Sequence, residues 1–197
     1  MIKKILATVL LMLVALLSGC GKSSPTFAGI DLTGAEFGRD FSLTDHDGKP
    51  RTLADFRGKY VMIFFGYTHC PDVCPTALAR AVAVRKLLGA DAERLQVIFV
   101  TVDPERDTAA LLKGYTTAFD PGFLGLRGDA EQTRAVAKEF RVVYEKVPTG
   151  SSYAMDHTAI TYIIDAQGRI RLAMRHAQTA EEYAADLKTL MKLDSPT

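Results

Sequence analysis

Cys70 and Cys74 stand four positions apart in the segment Phe64-Phe65-Gly66-Tyr67-Thr68-His69-Cys70-Pro71-Asp72-Val73-Cys74-Pro75, directly after an apolar, strand-like run and directly before a helix-like one. A thiol at the mouth of a helix meets unpaired backbone N–H groups and the positive end of the helix dipole, which favour its thiolate. The thiolate is the form that binds metals and attacks disulfides, so both kinds of chemistry are open to this pair. A loop that bends the sulfurs together would also let them close into a disulfide. Taken alone, the spacing suits a purely structural disulfide as well.

A third chemical group must come from further along the chain. His157, in Met155-Asp156-His157-Thr158, precedes a buried strand-like run and neighbours an acid able to orient its ring. Its placement favours a functional role over that of a hydrogen-bonded core histidine. His69 adjoins Cys70, but sequence neighbours often point apart, which suits a loop-structural or supporting role. His46, in a polar turn between Asp45 and Asp47, and His176, beside Arg175, read as solvated surface. Asp103 is either a turn residue before Pro104 or a polar group at the rim of the site. Met155 could offer a thioether, although packing is the commoner role for a methionine there. Tyr67 reads as a residue packed over the loop.

Two thiolates and one imidazole form a soft, three-donor set. Such sets select copper(I), zinc or iron–sulfur clusters, and a structural zinc site would need a fourth strong ligand for which the sequence offers no candidate. Copper is the best match. Oxidation of the pair to a disulfide would remove two donors, so redox state and metal loading exclude one another.

The elements that must position these residues alternate between strand and helix. Residues 41–43 and 51–53 flank the turn signal Asp47-Gly48-Lys49-Pro50, which predicts a small hairpin. The apolar runs 60–65 and 95–102 read as strands buried on both faces. A first helix is expected from Pro75, suited to a first helical position, to Gly89. Asp107 and Thr108 can cap a second, and Asp129 with Gln132 a third. A short strand is expected over 142–147. Runs 159–164 and 170–174 flank Asp165-Ala166-Gln167-Gly168 as a hairpin, and Thr179 with Glu182 forms a capping box for a last helix. This order predicts an α/β, thioredoxin-like mixed sheet flanked by helices, with an added N-terminal hairpin and an inserted helix. The carboxyl ends of the parallel strands share an edge, where ligands gather. An antiparallel 159–164 strand would begin at that edge and bring His157 toward the thiols.

The first residues read as targeting. Lys3 and Lys4 precede an apolar stretch over 5–17, short for a membrane span, and Leu17-Ser18-Gly19-Cys20 offers small residues before a cysteine. This resembles a bacterial lipoprotein signal, with residues 1–19 removed and Cys20 lipidated at the new N-terminus. An uncleaved anchor helix is the alternative. Both place the folded part at a membrane in the cell envelope, on the extracytoplasmic, periplasmic side. Residues 20–37 then form a lipidated cysteine and flexible tether, and residues 38–194 a single domain. Removing residues 1–19 takes away two of the 24 Lys and Arg and none of the 23 Asp and Glu, a net charge of −1 with no footprint for nucleic acid.

The cysteine segment, followed by Val102-Asp103-Pro104-Glu105-Arg106-Asp107-Thr108 and then by Asp156-His157-Thr158, resembles the SCO/SenC copper proteins across roughly residues 41–190. The resemblance implies that Cys70, Cys74 and His157 are ligands of copper, as Cu(I) or Cu(II). It also implies a thioredoxin-like fold and delivery of the metal to the dinuclear copper site of cytochrome c oxidase during assembly. It makes Asp103 an outer-shell candidate. The implied partners are the copper-bearing subunit of the oxidase, another copper chaperone as donor, and the membrane through the lipid anchor. Family members also reduce the cysteines of that subunit, so a thiol-disulfide oxidoreductase using Cys70 and Cys74 is the alternative function. A peroxide-removing relative ranks last, because no arginine lies near Cys70 in sequence.

Overall fold

The computed structural model describes residues 25–194. Cys20 and the expected signal segment lie outside the described residues.

Among the described residues, ten strands and four α-helices follow the predicted alternation. Strands β1 (Ile30–Asp31), β2 (Leu43–Asp45) and β3 (Pro50–Arg51) precede β4 (Tyr60–Gly66), and α1 (Val73–Leu88) follows it. Next come β5 (Leu95–Thr101), α2 (Ala109–Phe119), β6 (Leu124–Arg127) and α3 (Ala130–Glu139). The chain closes with β7 (Tyr144–Thr149), β8 (Ser152–His157), β9 (Ile160–Ile164), β10 (Ile170–Arg175) and α4 (Ala180–Leu193). Eight strands form one mixed sheet in the order β1-β10-β9-β4-β5-β6-β2-β3, while β7 and β8 pair separately.

The centre of the sheet is where the sequence is most apolar. All seven residues of β4 are buried, and β5 runs parallel to it from Tyr60 opposite Leu95 to Gly66 opposite Thr101. β9 lies antiparallel on the other side of β4, Val61 facing Ile164 and Phe64 facing Thr161. The carboxyl ends of β4 and β5 and the beginning of β9 therefore share one edge, as the α/β reading required. The two hairpin tips are alike: Asp45 Oδ1 accepts from Asp47 and Lys49 N–H, Asp165 Oδ1 accepts from Gln167 and Arg169 N–H, and Gly48 and Gly168 take positive φ in the turns. Capping boxes at Asp129–Gln132 and Thr179–Glu182 start α3 and α4 as their sequences predict.

Several expectations are corrected. The predicted tether ends earlier than residue 37: Ile30 and Asp31 pair with Ala173 and Leu172 of β10, and the buried carboxylate of Asp186 accepts from Ala28 N–H at 3.0 Å and Gly29 N–H at 2.8 Å. The polar composition hid two backbone partners that a short edge strand can use. The first helix starts at Val73, two residues ahead of Pro75; a first-turn N–H is unpaired in any helix, so proline is tolerated within that turn. Thr108 caps α2 alone, accepting from Leu111 N–H, while the Asp107 carboxylate turns to the cysteine loop. β6 and β8 were not foreseen, because β6 is short and β8 mixes Ser152, Asp156 and His157 with its apolar residues.

Replacing Asp186 with Ala leaves two backbone N–H groups without their carboxylate. The expected loss is about 1–3 kcal/mol in urea unfolding with the fold retained; an unchanged midpoint would show that the segment before β1 adds nothing to stability.

Candidate metal centre

The chain leaves β4 at Gly66, turns through Tyr67–Cys70 with Cys70 N–H bonded to the Tyr67 carbonyl at 3.3 Å, and enters α1. Asp72 occupies the N-cap position without a side-chain cap, and the Cys70 sulfur accepts the Cys74 N–H at 3.4 Å. A cysteine thus takes the place that a capping oxygen usually fills. Both cysteines are free thiols, Cys70 partly exposed and Cys74 fully buried. Gly66 makes the burial of Cys74 feasible, since a Cβ there would stand 2.6 Å from Cys74 Sγ and 2.9 Å from the Phe99 ring.

His157 arrives from the end of β8, its Nε2 3.5 Å from Cys74 Sγ. Its Nδ1 lies 3.2 Å from the Thr158 carbonyl; that carbonyl can only accept, so Nδ1 carries the proton and the Nε2 lone pair points to the thiols. Orientation therefore comes from Thr158 rather than from the exposed Asp156. Phe64 and Tyr67 meet the imidazole edge to face at 5.8 and 6.0 Å. The donor atoms of Cys70, Cys74 and His157 all lie within 4.8 Å of one another. With metal–sulfur bonds of about 2.3 Å and metal–nitrogen bonds of about 2.0 Å, two donors on one ion are at most about 4.6 Å apart, so the set fits a soft ion after a contraction of tenths of an ångström. A groove of about 220 Å³, lined in part by Tyr67, Cys70, Pro71, Met155 and His157, opens the site to solvent.

Burial controls the protons here. It pushes the Cys74 thiol well above its ordinary value, and the neighbouring Cys70 adds to the shift. It pulls His157 below the usual histidine value against the opposing Thr158 carbonyl, keeping the ring neutral and able to ligate.

Two buried aspartates hold the loop and the strand that carry the donors. Asp107 accepts from Thr68 N–H at 3.0 Å, Thr68 Oγ1 at 2.5 Å and Thr101 Oγ1 at 2.6 Å, tying the cysteine loop to the end of β5. Asp103 accepts from the Tyr153 hydroxyl at 2.9 Å and from Arg106 Nε. Arg106 in turn donates to the Tyr153 carbonyl at 2.8 Å and stacks 3.7 Å over its ring, with the Tyr67 ring 5.7 Å away. Asp103 therefore reaches the site through Tyr153 and β8, the strand that ends in His157. Sequence reasoning singled out Asp103 but missed Arg106, Tyr153 and the loop role of Asp107. Arg106 and Asp107 share the Asp103 segment and could have been found there, whereas Tyr153 carries no such signal.

The other histidines fall outside this donor group. His69 is exposed, its Nδ1 3.2 Å from Thr68 Oγ1. His46 is not at the surface but buried, its Nδ1 accepting from Gly125 N–H at 3.1 Å. His176 is half-buried, with Nδ1 enclosed and its carbonyl held by Arg80 at 2.7 Å. In both cases neighbouring helices cover what the local sequence suggested was solvated. Met155 is buried in the core cluster and also lines the groove.

Two outcomes follow from this geometry. Asp107→Ala is expected to cost about 1–3 kcal/mol in urea unfolding and to speed hydrogen exchange at the Thr68 amide, because three donors lose their acceptor; unchanged exchange would remove Asp107 as the tie of the loop. In the metal-free reduced protein, iodoacetamide should modify Cys70 before Cys74. A raised thiol pKa lowers the thiolate fraction below that of an ordinary cysteine, so Cys74 alkylation should still be climbing above about pH 9. Peptide mass spectrometry reads both sites, and equal rates at neutral pH would contradict the burial argument.

A family model described as SCO1/SenC matches residues 31–192. The protein SCO2 homolog, mitochondrial, of Bos taurus is 40% identical over 156 residues, covering 77% of this chain and 59% of its own length. The chain thus spans about three fifths of that curated relative. The structure of Bradyrhizobium japonicum ScoI with copper bound is 47% identical with a TM-score of 0.72, covering 78% of this chain and 99% of that one. The solution structure of apo Sco1 from Thermus thermophilus is 40% identical with a TM-score of 0.75, covering 85% and 99%.

Proposed function

Because the chain belongs to the SCO1/SenC family, we propose that it is a membrane-anchored, extracytoplasmic metallochaperone that carries copper on Cys70, Cys74 and His157. It delivers this cargo to the dinuclear copper site of cytochrome c oxidase during assembly. The observation that carries the reading is the convergence of two thiols and a neutral imidazole within 4.8 Å, a soft set of three with a solvent-open groove beside it. The copper in the 47% identical bacterial relative supports the choice of metal. Three donors, two of them partly exposed, leave room for an incoming ligand from the acceptor, as a carrier requires and a closed four-ligand structural site does not. Lipidated Cys20 supplies the membrane attachment, and a second copper chaperone supplies the metal.

The contrast between the two sulfurs favours a second activity of the same site. Cys70 is accessible and can attack a client disulfide as thiolate, forming a mixed disulfide and expelling one client thiolate. Cys74 then displaces the second client sulfur, so the client gains two electrons and the Cys70–Cys74 pair is left oxidised.

The reading predicts one copper(I) per fully reduced domain and none per disulfide form, measured by metal analysis under anaerobic conditions. His157→Ala should weaken copper(I) binding by at least about 100-fold in competition with a chelator, while disulfide exchange proceeds at close to the parent rate. Equal copper affinity in that variant would remove His157 from the carrier site.

A further inference from the structure

The N-terminal segment enters the domain at the same sheet edge as the metal donors. β9 begins at that edge, and β10 returns to it, Arg175 lying opposite Ile160. β1 is antiparallel to β10, with Asp31 opposite Leu172 and Ile30 opposite Ala173. Traced backwards from Asp31 to Gly29, the chain therefore heads toward Met174 and Arg175. The packing at Gly29 agrees, since a Cβ there would lie 2.3 Å from Met174 Sδ. Asp186 fixes the course by holding the N–H groups of Ala28 and Gly29, and Phe27 packs against the core. The strand order puts β1 two strands from β9 and three from β4, about 10–14 Å to the side of the donors.

Building on the reading that Cys20 is the membrane-attached residue, we infer that the sheet edge bearing Cys70, Cys74 and His157 faces the anchoring membrane, held in that attitude by the Asp186 clamp on Ala28 and Gly29. Eight Cα-to-Cα steps lead from Cys20 to Ala28, and in any conformation they span at most about 29 Å. The opposite edge, at Lys59 and the Gly168 turn, lies about 23 Å further away along the seven residues of β4. The partner this geometry suits is a membrane-embedded protein whose metal-accepting donors or disulfide stand close to the bilayer surface. A client approaching from the bulk would meet the wrong edge.

The test uses the full lipidated chain, reduced and metal-free, in lipid nanodiscs doped with gadolinium-chelating headgroups. Paramagnetic relaxation should be about tenfold or more stronger at the amides of Thr68, His69, Arg106 and Ala177 than at those of Gly58, Lys59, Gln167 and Gly168, given the 23 Å separation of the edges. Asp186→Ala should reduce this contrast. A long flexible insertion between Gly21 and Lys22 should reduce it too, without touching the folded part. The mass of the N-terminal peptide reports lipid at Cys20 independently. Absence of lipid removes the premise, whereas lipid present with equal or reversed enhancement, or with contrast that survives both variants, overturns the orientation itself.

Discussion

The site depends on a vacancy in the backbone at Gly66. The Cys74 sulfur occupies space that a Cβ at the end of β4 would claim, and this close approach lets a thiol sit fully buried at the start of α1 and within 3.5 Å of the His157 ring. Everything else at the edge serves to bring the remaining donors to that fixed point. The Cys70 sulfur is placed by the N–H it accepts from Cys74, and the imidazole by Thr158, Phe64 and Tyr67. A side chain at residue 66 would push against the Phe99 ring as well as the sulfur, so relief in one direction is blocked by the sheet itself.

Two aspartates four positions apart divide the work of support. Asp107 fastens the loop that carries Cys70, and Asp103, through Tyr153 and Arg106, fastens the strand that carries His157. Both leave from the end of β5, which is parallel to β4 and buried along nearly its whole length. The β7–β8 hairpin is paired apart from the main sheet, so these contacts, the Lys146–Glu105 ion pair and the burial of Met155 tie it to the body. Donors from distant parts of the sequence are thereby referred to one buried strand, which is how a short loop and a small hairpin hold a common geometry.

The parts legible in the sequence were those whose signal is local. Apolar runs marked β4 and β5, and Asp129–Gln132 and Thr179–Glu182 marked two helix starts, because strand burial and capping are written into adjacent residues. The convergence of Cys70, Cys74 and His157 was legible because the alternation of elements puts the end of β4 and the start of β9 on one edge. What was hidden depends on remote partners. The coverage of His46 by the Gly125 backbone, the grip of Asp186 on Ala28 and Gly29, and the hydroxyl of Tyr153 on Asp103 each join residues 50 or more positions apart. An aspartate beside a threonine before a helix reads as a cap, and only the folded loop shows that Asp107 has a stronger use at Thr68.

The unequal burial of the two sulfurs reconciles the two proposed activities, copper carriage and dithiol exchange. A buried thiol with a raised pKa is a poor nucleophile and keeps its proton at neutral pH, so it rests unreactive until something displaces that proton. A soft cation does so, since metal binding releases the proton and repays the cost of burying a thiolate with a bond to sulfur. A mixed disulfide at Cys70 uses the same reserve differently, bringing an electrophilic sulfur to the thiol of a residue whose N–H already bonds the Cys70 sulfur. Both proposed routes use the same two sulfurs, so in that reading the domain holds copper or spends its electrons, and the redox state of the pair decides between them.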